Sequence, residues 1–183
     1  MNMTKIKTVK EKQSELKSKL KEKFGFKNDN QVPKLEKIVV SVGIGKIKDD
    51  KRKIELIGDR LEKITGQKPV IIKAKKSIAQ FKVREGQNSG YKVTLRGFAM
   101  FNFLDKFINL TLPRSKDFRG IDPKSVDDMG NLTIGVKEHI IFPETGDEEI
   151  RDIFGLSVTI NTTAKNREVA KEFFELLGVP FKK

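Results

Sequence analysis

The chain has 183 residues, 37% of them hydrophobic and 34% charged, with 38 Lys and Arg against 25 Asp and Glu and a net charge of +13. That length suits one domain with one core, and so basic a balance points to a polyanionic partner, nucleic acid before an anionic membrane. With no cysteine and one histidine, His139, the sequence excludes disulfides, thiol nucleophiles, cysteine-ligated zinc and a His-pair metal site, and it fits an intracellular protein.

The opening segment, MNMTKIKTVKEKQ, is cationic with no apolar stretch behind it, so no secretory signal is expected. From Thr4 to Phe24, Ile6, Val9, Leu16, Leu20 and Phe24 recur at helical spacing. Thr8 and Glu11 are placed for a capping box, and Gly25 to end the helix. The polar face of this N-terminal helix (residues 1–25) is nearly all lysine, either plain solvated surface or an RNA contact.

A strand follows over Leu35–Gly43, with Ile38, Val40 and Val42 on one face and Lys37, Val39 and Ser41 on the other. Asp49 or Asp50 then caps a second helix bearing Ile54, Ile57, Leu61 and Ile64, which Gly66 closes. Val70–Ile72 reads as a short strand. In Tyr91–Arg96, Val93 and Leu95 oppose Lys92, Thr94 and Arg96. A third helix presents Phe98, Phe101, Leu104, Ile108 and Leu112 and stops at Pro113; Phe98, Phe101 and Phe107 are expected in the core. Residues 114–150 are irregular, with short extended pieces expected around Thr133 and Ile141. Leu156, Val158 and Ile160 form the apolar side of a further strand whose other side is Ser157, Thr159 and Asn161. The last helix carries Val169, Phe173, Leu176 and Leu177 and ends at Gly178.

Strands with one apolar and one polar face belong to an antiparallel sheet covered by helices on one side only. The expected fold is therefore α+β, a single domain over 1–183 with its polar, partly basic sheet face open to a partner.

Charge is unevenly spread. Lys63–Arg96 holds nine cations and one acid, Glu85, for a net +8. Within it, Lys73–Tyr91 holds KAKKS and KVREGQNSGY and reads as a basic loop over 74–91, with two glycines and polar residues placed near its tip. Its lysines and arginine suit phosphates, with Ser77, Gln87 and Asn88 as hydrogen-bond donors. Phe81 in that loop either stacks on a base or anchors the loop. By contrast the irregular segment 121–152 has nine acids and three cations, a net −6. It suits a basic protein partner or is a solvated loop.

Nucleotide motifs fail. Gly43-Ile44-Gly45-Lys46 has Lys48 where a Rossmann fingerprint needs glycine, and Ile47 where a P-loop needs Ser or Thr. A turn with a tight backbone approach accounts for it better. His139 stands in an apolar segment and reads as structural. No catalytic constellation, metal set or cofactor motif emerges.

GQKPVIIKAKKSIAQFKVREG at 66–86, followed by GYKVTLRG at 90–97, resembles the bacterial large-subunit ribosomal protein five family. QVPKLEKIVVSVGIG lies upstream; PRSKDFRGI, GNLTIGVKEHIIFPE, TTAK and LGVPFKK follow in order. The resemblance implies a non-enzymatic ribosomal protein of the cytoplasm that binds 5S rRNA and helps fix it to the large-subunit rRNA. Gln67, Thr94 and Ser41, the last where the family usually has Asn, match its 5S rRNA contacts. Lys37, Lys68, Lys92 and Arg96 complete that candidate set. The basic loop matches the element that reaches P-site tRNA, through Lys75, Lys76, Ser77, Lys82 and Arg84. The acidic segment, with Glu144, Asp147, Glu148 and Glu149, matches the bridge to small-subunit protein thirteen. Asn88 departs from a common loop proline, which implies a looser tip, and Asp127-Asp128-Met129-Gly130 departs from Asp-Gly-Arg-Gly. An RNA-modifying enzyme or other stand-alone RNA-binding protein is the rival reading. A peripheral membrane protein is disfavoured because the apolar stripe of the first helix suits a core.

Overall fold

The computed structural model describes residues 8–45, 47, 50–116, 118–146 and 153–182. The elements run α1 (Val9–Phe24), β1 (Leu35–Gly43), α2 (Lys51–Thr65), β2 (Val70–Lys73), β3 (Asn88–Leu95), α3 (Gly97–Lys106), α4 (Leu112–Arg114), β4 (Leu132–Val136), β5 (Leu156–Thr162) and α5 (Arg167–Leu177). The five strands form one antiparallel sheet in the order β2-β3-β1-β5-β4, so the fold is α+β as expected.

Helix ends fall where the capping chemistry puts them. The Thr8 hydroxyl accepts from the Glu11 amide at 3.3 Å, and the Glu11 carboxylate accepts from the Thr8 amide at 2.9 Å. This reciprocal box satisfies two amides that a helix start leaves unpaired. Thr4 and Ile6, the expected first turn, lie outside the described residues. Asp50 caps α2 by accepting from the Lys53 amide at 3.1 Å; Asp49, the other candidate, is also outside them. Gly25, Gly66 and Gly178 end α1, α2 and α5 with left-handed φ of 66°, 68° and 98°.

The third helix departs from the expected register. Its buried positions pair as Phe103 and Leu104, Phe107 and Ile108, and Thr111 and Leu112. That four-residue step is longer than the 3.6 of an α-helix, and the backbone accommodates it by a π-helical stretch over Phe107–Thr111. The helical path passes Pro113 and ends at Arg114. Phe98, expected in the core, is 76% exposed, and Phe101 is half-buried. Around Ile141 the expected extended piece is instead a 3₁₀ turn, His139–Ile141, followed by another that begins at Pro143.

Packing divides the chain into two units, residues 1–37, 96–133 and 160–183, and residues 38–95 and 134–159. In the first, α1 packs against α3 and α5. Asp105 accepts from the Val9 amide at 2.8 Å, and the Lys12 ammonium donates to the Leu177 carbonyl at 3.3 Å. In the second, α2 packs on β3, where Gly58 leaves room for the buried Tyr91 ring. A Cβ on Gly58 would sit 3.4 Å from that ring.

β1 and β3 pair antiparallel with Val40 opposite Val93, Ser41 opposite Lys92, Val42 opposite Tyr91 and Gly43 opposite Gly90. Ile38, Val40, Val42, Tyr91, Val93 and Leu95 are buried, whereas Val39, Ser41 and Thr94 are half-buried and Lys92 is exposed. Gly43 and Gly45 each have open space where a Cβ would stand, so the expected tight approach does not lie there. It lies across the pair, at Gly90, whose Cβ would come 2.5 Å from the Val42 carbonyl oxygen. Gly90→Ala is expected to cost about 2 kcal/mol, because backbone must shift, whereas Gly43→Ala is expected to cost no more than about 0.5 kcal/mol. Denaturant unfolding of both variants checks the contrast.

Candidate nucleic-acid interface

The pleat carries the open face. Once Val40 and Val93 face the core, Ser41, Lys92 and Thr94 must face the other way. Ser41 does not project freely. Its hydroxyl lies 2.9 Å from that of Ser157 on β5, so the position is tied to the neighbouring strand. On the other side of β3, Val70 of β2 lies opposite Lys92 and Ile72 opposite Gly90, which adds apolar surface to the same face. Val70 is 64% exposed. Gln67 and Lys68 are exposed in the link from Gly66 to β2, the strand entrance expected for Gln67. The second unit therefore brings together Ser41, Gln67, Lys68, Lys92 and Thr94 from the expected 5S rRNA set. Lys37 and Arg96 belong to the first unit, where an Arg96 guanidinium nitrogen lies 3.6 Å from the Glu36 carboxylate.

Residues 74–87 form an ordered hairpin rather than a plain loop. Ala74 and Gln87 close its base, the Ala74 amide donating to the Gln87 carbonyl at 2.8 Å. Ile78 and Val83 exchange backbone bonds of 2.9 and 3.2 Å. A 3₁₀ turn over Ala79–Phe81 makes the tip, and Lys82 follows at φ 49°, the one non-glycine with positive φ among the described residues. The expected tip is thus corrected: Gly86 lies at the base, Gly90 inside β3, and Asn88 pairs with Lys73. The departure at Asn88 therefore falls in a strand and not at the tip.

Two expected phosphate donors serve the hairpin itself. The Ser77 hydroxyl accepts from the Glu85 amide at 2.9 Å, and the Gln87 side-chain carbonyl accepts from the Arg84 amide at 3.2 Å. Lys75, Lys76, Lys82 and Arg84 are exposed along this frame. Phe81 at the tip is 67% exposed, so burial does not anchor it. It lines a cleft of about 1040 Å³ whose walls come from α2, the hairpin and residues 153–155. No sequence motif signals this cleft, because its walls are distant along the chain.

Burial, followed by the nearby Glu55 and Asp59 charges, raises the Tyr91 hydroxyl above the usual tyrosine range. A hydrogen bond from Lys21, together with its charge, lowers the Asp29 carboxyl. Both effects are local to helix packing and a helix end.

Of the expected bridge residues, Glu144 is exposed in the turn that begins at Pro143. Asp147, Glu148 and Glu149 lie outside the described residues. His139 is fully buried, its ring stacked on Phe154 at 4.1 Å between centroids, and its Nδ1 accepts from the Phe154 amide at 3.4 Å. It is the structural histidine expected.

Residues 28–84 match the family described as Ribosomal protein L5, and residues 88–181 match the C-terminal region of the same ribosomal family. The large ribosomal subunit protein uL5 of Halothermothrix orenii is 50% identical over 167 residues, 91% of this chain and 93% of that one. That of Heliobacterium modesticaldum is 51% identical over 176 residues, 95% and 97% of the two chains. The chain belongs to the ribosomal protein L5 family. Membership makes it a structural ribosomal protein and not an enzyme.

Ser77 adds a side-chain bond, to the Glu85 amide, to the backbone bonds that order the hairpin. Ser77→Ala is expected to speed amide exchange at Glu85 about tenfold, the effect of losing a bond worth about 1.4 kcal/mol. Exchange at the Val40 and Val93 amides is expected to stay unchanged, and hydrogen-exchange mass spectrometry separates the two regions.

Proposed function

We propose that this structural constituent of the large ribosomal subunit binds 5S rRNA on its open sheet face and fixes it to the large-subunit rRNA. The observation that carries the reading is the strand register, which sets Ser41, Lys92 and Thr94 on one face with Gln67 and Lys68 at its edge. Lysines there neutralise phosphates, and the hydroxyl and amide groups contact sugars and base edges, so charge supplies affinity and shape supplies selectivity. The cationic hairpin, through Lys75, Lys76, Lys82 and Arg84, reaches P-site tRNA. Ser77 acts there mainly by holding the frame. The acidic segment with Glu144, Asp147, Glu148 and Glu149 meets small-subunit protein thirteen, for which its net charge of −6 is complementary to a basic partner.

Binding to 5S rRNA and to an unrelated RNA of equal length, measured across a salt series, tests the first part. Selectivity of about 100-fold that persists as salt rises supports recognition beyond the phosphate term; equal binding and joint release refute it. Thr94→Ala is expected to weaken 5S rRNA binding at least fivefold, about 1 kcal/mol, through a hydrogen bond lost at the interface. Unchanged affinity removes Thr94 from the site. Replacing Lys82 and Arg84 together by Ala is expected to leave 5S rRNA affinity within twofold and to weaken tRNA retention on assembled ribosomes. A large loss of 5S rRNA affinity in that variant would contradict the division between face and hairpin.

A further inference from the structure

We propose that the cleft beneath the 74–87 hairpin docks an apolar segment with acidic flanks, contributed by a neighbouring protein of the assembled subunit. This rests on the chain working inside the large subunit, and not on any particular RNA contact. Ile57, Ile78 and Phe81 supply apolar wall, and Ile78 and Phe81 are 47% and 67% exposed. Large apolar side chains gathered beside an ordered hairpin mark a surface that a partner covers. The volume of about 1040 Å³ exceeds what one nucleobase fills and suits the anchors of a short helix or extended peptide.

Charge narrows the occupant. Lys53, Lys75 and Lys76 line the cleft, and no Asp or Glu lines it among the described residues. Complementary potentials therefore select a segment whose Leu, Ile or Phe anchors are flanked by Asp or Glu. RNA fits the rim but not the interior: phosphates would meet the lysines, while Ile57 and Ile78 offer base edges no hydrogen bond. Lys82 and Arg84 lie outside the lining, so the hairpin keeps two cations clear of the cleft while Lys75 and Lys76 line it.

Because the chain contains no cysteine, Ile78→Cys creates a single thiol for a benzophenone photocrosslinker. Lys53→Cys gives a second probe in the cleft, and Lys19→Cys, exposed on α1, is the control. Each is assembled into large subunits, whose sedimentation with the wild-type chain reports separately on the ribosomal placement. The expected result is a protease-sensitive, ribonuclease-resistant adduct from the cleft probes, at least fivefold above the control. Mass spectrometry is expected to map it to an apolar segment with acidic flanks. A synthetic peptide of that segment should bind the free chain saturably, with Phe81→Ser weakening it at least tenfold. Adducts destroyed by ribonuclease, adducts no stronger than the control, or a basic mapped segment would overturn the proposal. Failure of the wild-type chain to sediment with large subunits would instead remove the placement beneath it.

Discussion

The contact on which the rest of the structure depends is the register of β1 against β3. A strand shows alternate residues to opposite faces, so a slip of one residue would bring Lys92 and Thr94 into the core and expose Tyr91 and Val93. Two features hold it. Ile38, Val40 and Val42 are buried to 3% exposure or less, which makes the slipped state costly in apolar surface. At the far end Gly90 admits the Val42 carbonyl at a distance no side chain allows. The open face is therefore a by-product of core packing, and its polar groups keep their positions without bonds of their own to the helices behind.

Much of this was legible because it is local. Period-two alternation located β1 and β5, and caps such as Thr8 with Glu11, Asp50 and Gly178 located helix ends, since each works within a turn of the chain. The faces of the sheet followed from the same alternation. What the sequence hid depends on residues far apart. Ser41 meets Ser157 across 116 positions, and no pattern around either one marks the pair. Phe98 looked like core by its spacing. It is the second residue of α3, after Gly97, and the underwound stretch at Phe107–Thr111 aligns the buried seam with Phe103 instead.

The candidate site shows the same division. Basic residues in the hairpin were legible as a charge run, but the tip was misplaced because glycine density suggests a turn wherever it occurs. Here Gly90 serves a close strand approach, and the actual turn uses Ala79, Gln80 and Phe81. Ser77 and Gln87 likewise looked like ligand groups by type. Only the fold shows that each accepts a backbone amide of the hairpin, so side chains suited to phosphate instead rigidify the frame that presents the lysines.

That rigidity matters for what a cationic element can do. A flexible loop with the same lysines would lose conformational freedom on binding, and part of its Coulombic gain would go to ordering it. In the hairpin, the Ala74–Gln87 and Ile78–Val83 bonds set the spacing of Lys75, Lys76, Lys82 and Arg84 before any partner arrives. The same order fixes the apolar side of the hairpin above Ile57, so the cleft exists without an occupant to shape it. The order that spaces the hairpin's cations thus also holds Ile78 and Phe81 at 47% and 67% exposure beside them, which is the apolar surface the proposed partner would cover.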